Sequence, residues 1–131
     1  MIEITGIDHL VLRARDPDAL ITFYTGVLGL VVEKVQERIG LTQLRAGTSL
    51  IDIVAVDGLL GRMGGAGPGA EGRNLDHFCL TIRGFDLEKV KAHLVAHGVA
   101  LGAEGLRYGA GGEGLSIYLT DPEGNGLELR G

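Results

Sequence analysis

The sequence predicts an α+β protein made of two copies of one β-α-β-β-β unit, and three observations carry that expectation. Ile7-Asp8-His9-Leu10-Val11-Leu12 and Leu75-Asp76-His77-Phe78-Cys79-Leu80 are short apolar runs with an Asp-His pair at the same place, 68 positions apart. A repeat on that scale points to a duplicated supersecondary unit. Each copy also ends in an apolar strand with a carboxylate inside it: Asp52 between Ile51 and Ile53, and Glu128 between Leu127 and Leu129. Between the copies lie 17 positions, 58–74, that hold seven glycines and Pro68. The expected organisation is one domain over residues 1–131, with module 1 at about 5–57, a flexible connector at 58–74 and module 2 at about 75–131.

Composition narrows the function. A chain of 131 residues can bury roughly 68% of its unfolded surface. With 45% apolar and 22% charged residues it reads as a globular protein. A formal charge of −5 with no Lys/Arg run argues against nucleic acid. The apolar run at 50–56 is far too short for a membrane span. One cysteine allows no internal disulfide and no secretory signal is visible, so the cytoplasm is the expected compartment.

Taken in order, residues 7–13 read as a strand with apolar residues on both faces, which predicts cover on both sides. Alternation puts His9, Val11 and Arg13 on one face. Asp16-Pro17 reads as an N-cap and first helical residue, and the helix runs to about Leu28 on a Leu20/Phe23/Tyr24/Val27 stripe, with Gly29 as its left-handed stop. Strands follow at about 30–37, 41–46 and 49–56, turning at Gly40 and Gly47. In the second copy a strand starts at Leu75. A helix from about Phe85 to His97 turns Leu87, Val90, Leu94 and Val95 inward, and strands lie at about 99–107, 114–120 and 126–130. Asp121-Pro122-Glu123-Gly124-Asn125-Gly126 is the turn between the last two. The second copy is about eight residues longer, and 109–114 is the natural place for the excess. That stretch spells Gly109-x-Gly111-x-x-Gly114 but leads into a strand, which argues against a dinucleotide fingerprint.

Two histidines on first strands and two acids on last strands form the chemical constellation. If the two halves curl their mixed sheets around a shared cleft, His9, Asp52, His77 and Glu128 converge there. Imidazoles and carboxylates suit a divalent ion such as Zn, Fe, Ni, Co or Mn. Two carboxylates against a dication leave such a site nearly neutral, which makes burial tolerable.

These residues resemble the glyoxalase/bleomycin resistance/dioxygenase, or vicinal oxygen chelate, superfamily. The stretches DHLVLRARDPDALITFYTGVLGLVV and SIYLTDPEGNGLEL carry the likeness, which covers the chain apart from its two glycine-rich loops. The resemblance implies metal binding by His9, His77 and Glu128, with Asp52 at the position of a fourth ligand that is usually Glu or Gln. It implies a glyoxalase-like lyase or isomerase: the ion coordinates neighbouring substrate oxygens, and Glu128 or Asp52 shuttles a proton through an enediolate. Arg13 matches a position that holds a glutathione carboxylate in glyoxalase I, whereas the asparagine expected four residues after the fourth ligand is Val56. A homodimer acting on a small molecule is implied as well.

Two alternatives stay open: an extradiol-type dioxygenase with ferrous iron on His9, His77 and Glu128, and a non-catalytic drug-binding or resistance protein. Tyr118 is a candidate for contacting a substrate oxygen. His93 and His97 have helical i, i+4 spacing but read as solvated residues, and Cys79 reads as a small buried hydrophobe. The natural substrate, the metal and the pairing of modules within or between chains are not set by the sequence.

Overall fold

The computed structural model describes residues 1–131, which form two compact units, 1–72 and 73–131. Each unit is a four-stranded mixed sheet carrying one long helix. Unit 1 contains β1 (His9–Ala14), α1 (Pro17–Gly26), β2 (Val31–Gln36), β3 (Leu41–Ala46) and β4 (Ser49–Ala55), in sheet order β1-β4-β3-β2. Unit 2 contains β5 (His77–Thr81), α2 (Leu87–Ala96), β6 (Glu104–Gly109), β7 (Gly112–Thr120) and β8 (Gly126–Arg130), in the equivalent order β5-β8-β7-β6. In both, the first strand runs parallel to the last and the other pairs are antiparallel. The duplication read from the sequence is therefore the architecture.

Local chemistry explains the element boundaries. Asp16 caps α1 by accepting from the Ala19 amide at 3.1 Å, and Asp86 caps α2 by accepting from Lys89 N at 3.1 Å. Gly29 follows α1 at φ 73° and Gly98 follows α2 at φ 73°, left-handed positions that favour glycine. One face of each sheet is the core. Leu12, Leu44, Ile51 and Ile53 are buried in unit 1 with Leu20, Phe23 and Tyr24 of α1. Ile117, Leu119, Leu127 and Leu129 are buried in unit 2 with Leu94 of α2. Each such side chain contributes about 1.5–3 kcal/mol relative to exposure.

Three expectations are corrected. β1 is covered on one side only: Leu12 is buried while Val11 is 49% exposed, so its apolar residues do not mark a doubly covered strand. Val95 faces solvent, because it lies about 100° around the helix from the buried Leu94. The strand expected at 99–107 starts only at Glu104, since Gly102 and Ala103 exchange backbone bonds with Tyr118 before regular pairing begins.

The connector is an ordered path. A 3-10 turn spans Gly61–Gly64, and Gly69 and Gly72 bridge each other. Gly61 is required there, because a Cβ would collide with the Ala55 backbone. Arg13 donates Nε to Gly61 O at 3.1 Å, Nη1 to Gly64 O at 3.2 Å and Ala66 O at 3.0 Å, and Nη2 to Gly65 O at 2.6 Å. Val54, across the β1–β4 pairing from Arg13, is buried. The extra length of the second copy is in the β6–β7 hairpin, where β7 has nine residues against six in β3.

Candidate metal centre

The sheet face opposite each helix carries the polar residues. In unit 1, β1 presents His9, Val11 and Arg13, and β4 presents Asp52, which is 4% exposed. His9 donates Nδ1–H to Asp8 Oδ1 at 2.7 Å. That hydrogen bond, followed by the charge of Asp52, holds the His9 pKa above its usual value. Asp52 pairs across the sheet with Gln43, whose Nε2 donates to both carboxylate oxygens at 3.3 and 3.2 Å. Gln36 in turn donates to Gln43 Oε1 at 3.4 Å, which fixes the amide's orientation.

Unit 2 repeats the plan with different partners. His77 donates Nδ1–H to Asp76 Oδ1 at 2.5 Å, and this bond lowers the Asp76 pKa. The other ring nitrogen, Nε2, lies 3.4 Å from Glu128 Oε2. His77 faces Gly126 across the β5–β8 pair, and a Cβ on Gly126 would stand 3.0 Å from His77 Cβ and 2.6 Å from Asp76 O. Glycine at that position leaves room for the imidazole. Glu128 is 6% exposed and accepts from Ser116 Oγ at 2.5 Å and from Tyr118. Burial acts to raise the Glu128 pKa, but the bonds from Ser116 and Tyr118 and the charges of His77 and Arg130 outweigh it, leaving the carboxyl below its usual value. The Tyr118 ring meets His77 edge-on at 5.4 Å. The turn feeding β8 is fixed by Asp121, which accepts from Glu123 N and Asn125 N at 2.9 and 3.0 Å.

Both halves suit a divalent cation in their donor sets. An imidazole whose Nδ1–H is held by a carboxylate offers Nε2 as the ligand nitrogen. The 3.4 Å between His77 Nε2 and Glu128 Oε2 matches the roughly 3.3 Å between two ligands of a tetrahedral ion at about 2.0–2.1 Å. No group of three or more histidine, cysteine or carboxylate side chains able to hold an ion is assembled. The structure brings His77 and Glu128 to 3.4 Å, while His9 and Asp52 share a face of the first sheet without an ion pair.

Other candidates fall into place individually. Arg13 is engaged by the connector carbonyls. Tyr118 is both a Glu128 donor and a His77 neighbour. Cys79 is exposed on the His77 face, which corrects the expectation of a buried hydrophobe. Partial desolvation, and then the Glu128 charge, hold its thiol pKa up. His93 and His97 are exposed on α2, where His97 Nδ1 bonds His93 O at 2.8 Å. Sequence reasoning missed Asp8, Asp76, Gln43 and Ser116. The signal for the two aspartates was present, since the repeat is of Asp-His and not of His alone. Gln43 and Ser116 carried no signal, because only strand register places them beside the acids.

Two mixed β-α-β-β-β modules, each presenting a histidine from its first strand beside an acid from its last, define the class of the protein. The chain belongs to the glyoxalase/bleomycin resistance protein/dioxygenase superfamily, whose family model matches residues 6–129. It is similar to an integron cassette protein from the mobile metagenome of V. cholerae, at 26% identity and TM-score 0.76, covering 99% of this chain and 97% of that one. A virulence protein from Salmonella typhimurium is similar at 26% identity and TM-score 0.78, over 98% of both chains. A lactoylglutathione lyase from Agrobacterium tumefaciens shares the fold at 19% identity and TM-score 0.70, over 97% of this chain and 93% of that one.

Proposed function

We propose that the protein is a metal-dependent, glyoxalase-like lyase or isomerase for a small substrate with neighbouring oxygens. The observation that carries this reading is the doubled pairing of a carboxylate-anchored histidine with a buried acid, 3.4 Å apart in unit 2. In this reading His9, His77 and Glu128 hold a divalent ion (Zn, Ni, Co, Mn or Fe), with Asp52 as fourth ligand or free base. When bound, the ion would polarise the substrate oxygens and stabilise the negative charge that develops as a proton leaves. Asp8 and Asp76 orient the two imidazoles. Ser116 and Tyr118 hold the Glu128 carboxylate in place, and Gln43 does the same for Asp52, so that Glu128 or Asp52 can take and return a proton.

Arg13 bears on the substrate. Its three nitrogens all donate to connector carbonyls, and Val56 replaces the expected asparagine. Both points favour a substrate other than a glutathione conjugate, with Arg13 acting through the loop it holds. A small-molecule substrate and a homodimer are part of the same proposal. No helix is long and apolar enough to cross a membrane.

Asp52 favours a second reading, because Gln43 occupies both its oxygens. If Asp52 stands off the ion, the remaining two-His-one-carboxylate set suits ferrous iron and extradiol-type oxygen chemistry. One experiment separates the two. Protein loaded in turn with Zn, Ni, Co, Mn and Fe(II) is assayed in D2O for proton exchange on hemithioacetals and α-hydroxycarbonyl compounds, and for oxygen uptake with catechols. Exchange with a redox-inert ion supports the lyase or isomerase, and oxygen uptake confined to iron supports the dioxygenase. Failure to bind any of the ions would remove both.

A further inference from the structure

The face of the second sheet that carries His77 and Glu128 continues into the β6–β7 hairpin as a trough whose floor is glycine except at Arg107 and Ser116. Four positions of the β6–β7 hairpin on this face are glycine: Gly105 opposite Ser116, Gly109 opposite Gly112, and Gly114 opposite Arg107. Two guanidinium groups lie there. Arg130, two residues beyond Glu128 on the same face of β8, is 7% exposed and donates Nη2 to Gly112 O at 2.6 Å. A Cβ on Gly114 would stand 2.9 Å from Arg130 Nη2, and one on Gly109 would collide with Nη1. Arg107 places its guanidinium carbon 5.5 Å from the Tyr118 ring centroid, and a Cβ on Gly105 would stand 2.9 Å from its Nη1. The glycines are thus where the arginines need space.

These two cations have no carboxylate partner. In unit 1 Arg45 is ion-paired to Glu33 at 3.0 Å. Neither Arg107 nor Arg130 has a carboxylate oxygen within 4.0 Å, and each makes one hydrogen bond, to a carbonyl: Leu106 O at 2.8 Å for Arg107 and Gly112 O for Arg130. No buried side-chain nitrogen or oxygen is without a hydrogen-bond partner, so the remaining Arg130 donors open to solvent on this face. The Arg130 charge acts on the Glu128 carboxyl two residues away on the same face, helping to lower its pKa. A nine-tenths buried guanidinium with one carbonyl bond keeps donors free for an anion, and its planar fork fits a carboxylate.

We propose that the trough of Gly105, Gly109, Gly112 and Gly114, with Arg107 and Arg130, is a carboxylate subsite that holds the acidic end of the substrate. The substrate class becomes a small carboxylic acid. Its placement beside the reacting oxygens rests on the metal-dependent reading, whereas carboxylate binding itself does not. Tyr118 links the two regions, since it contacts Arg107 on one side and His77 and Glu128 on the other.

The test is NMR of the arginine Nε–Hε signals in the metal-free full chain, titrated with benzoate and, as neutral control, benzamide. Benzoate should shift the Arg130 and Arg107 signals to saturation and benzamide should leave them in place. Arg107→Gln, at a half-buried position that does not threaten folding, should weaken benzoate binding by about 10-fold or more. Arg130→Lys keeps the charge but loses the fork and should weaken binding too. Unmoved arginine signals, or equal benzoate affinity in Arg107→Gln, would overturn the subsite. Metal binding by the same samples is measured separately. Metal bound without any benzoate response refutes the subsite and leaves the metal reading standing. A benzoate response without metal binding does the reverse.

Discussion

In the first sheet Asp52 is held by an amide, Gln43, itself oriented by Gln36. In the second sheet Glu128 is held by a hydroxyl, a phenol and the charge of Arg130. The scaffold is the same in both, down to the His-on-Asp bond and the parallel pairing of first and last strands. The cations differ as well, because Arg45 is neutralised by Glu33 while Arg107 and Arg130 are left for a ligand. Both sheets keep a histidine on the first strand and an acid on the last. The cross-strand neighbours diverged, leaving a shorter acid beside an amide in the first sheet and a longer acid beside a hydroxyl and a phenol in the second. The acids follow the same logic: Glu128 is one methylene longer than Asp52, and it is the acid within 4.0 Å of its own sheet's histidine.

The comparison predicts equal behaviour where the halves share structure and unequal behaviour where they differ. The largest effect is shared. Ile51→Ala and Leu127→Ala each empty a fully buried site beneath an acid, and each should lower unfolding free energy by about 2–5 kcal/mol in urea titrations. Next come the histidine anchors. Asp8→Asn and Asp76→Asn should each weaken divalent-metal affinity by roughly 10–100-fold, measured by competition with a chromophoric chelator. If only one of them matters, the halves are not equivalent at the ion.

A smaller effect should appear in one half only. The Glu128 carboxyl lies below its usual value of 4.5, so its contribution to stability is present above pH 4.5 and is lost as pH falls through the lowered folded value. The urea midpoint of the metal-free protein should therefore fall more steeply with acid below pH 4.5 than that of Glu128→Gln. Parallel curves would show that Ser116 and Tyr118 do not favour the charged form. The smallest effect is expected at Val95→Ala, which should change stability by no more than about 0.5 kcal/mol because the side chain faces solvent. A core-sized loss there would contradict the helix's orientation.

Much of this comparison was legible in the sequence, and the rest was hidden for identifiable reasons. The Asp-His repeat and the embedded acids located both modules, because a charged residue amid branched apolar ones has a cost that a sequence bears only for a reason. Caps and left-handed glycines placed the helix and turn boundaries to within a few residues. Cover on β1 was misjudged because Val11 is apolar in character but sits on the polar face. Cys79 was misjudged for a related reason: residue type was allowed to outweigh its alternation with His77. Gln43, Ser116 and the loop contacts of Arg13 depend on register and on long-range chain paths, which local pattern does not encode. The Gly109-x-Gly111-x-x-Gly114 stretch forms the tip of the β6–β7 hairpin. Its positive use, making room for Arg130, needed the β7–β8 pairing.

Under the proposed function His9, His77 and Glu128 hold one divalent ion. Metal stoichiometry by elemental analysis, on wild type, His9→Ala and His77→Ala loaded under identical conditions, tests it most directly. Wild type should hold one ion tightly per chain, and both variants should lose it. Wild type that retains no ion, or a His9→Ala variant that retains it as firmly as wild type, would contradict the claim.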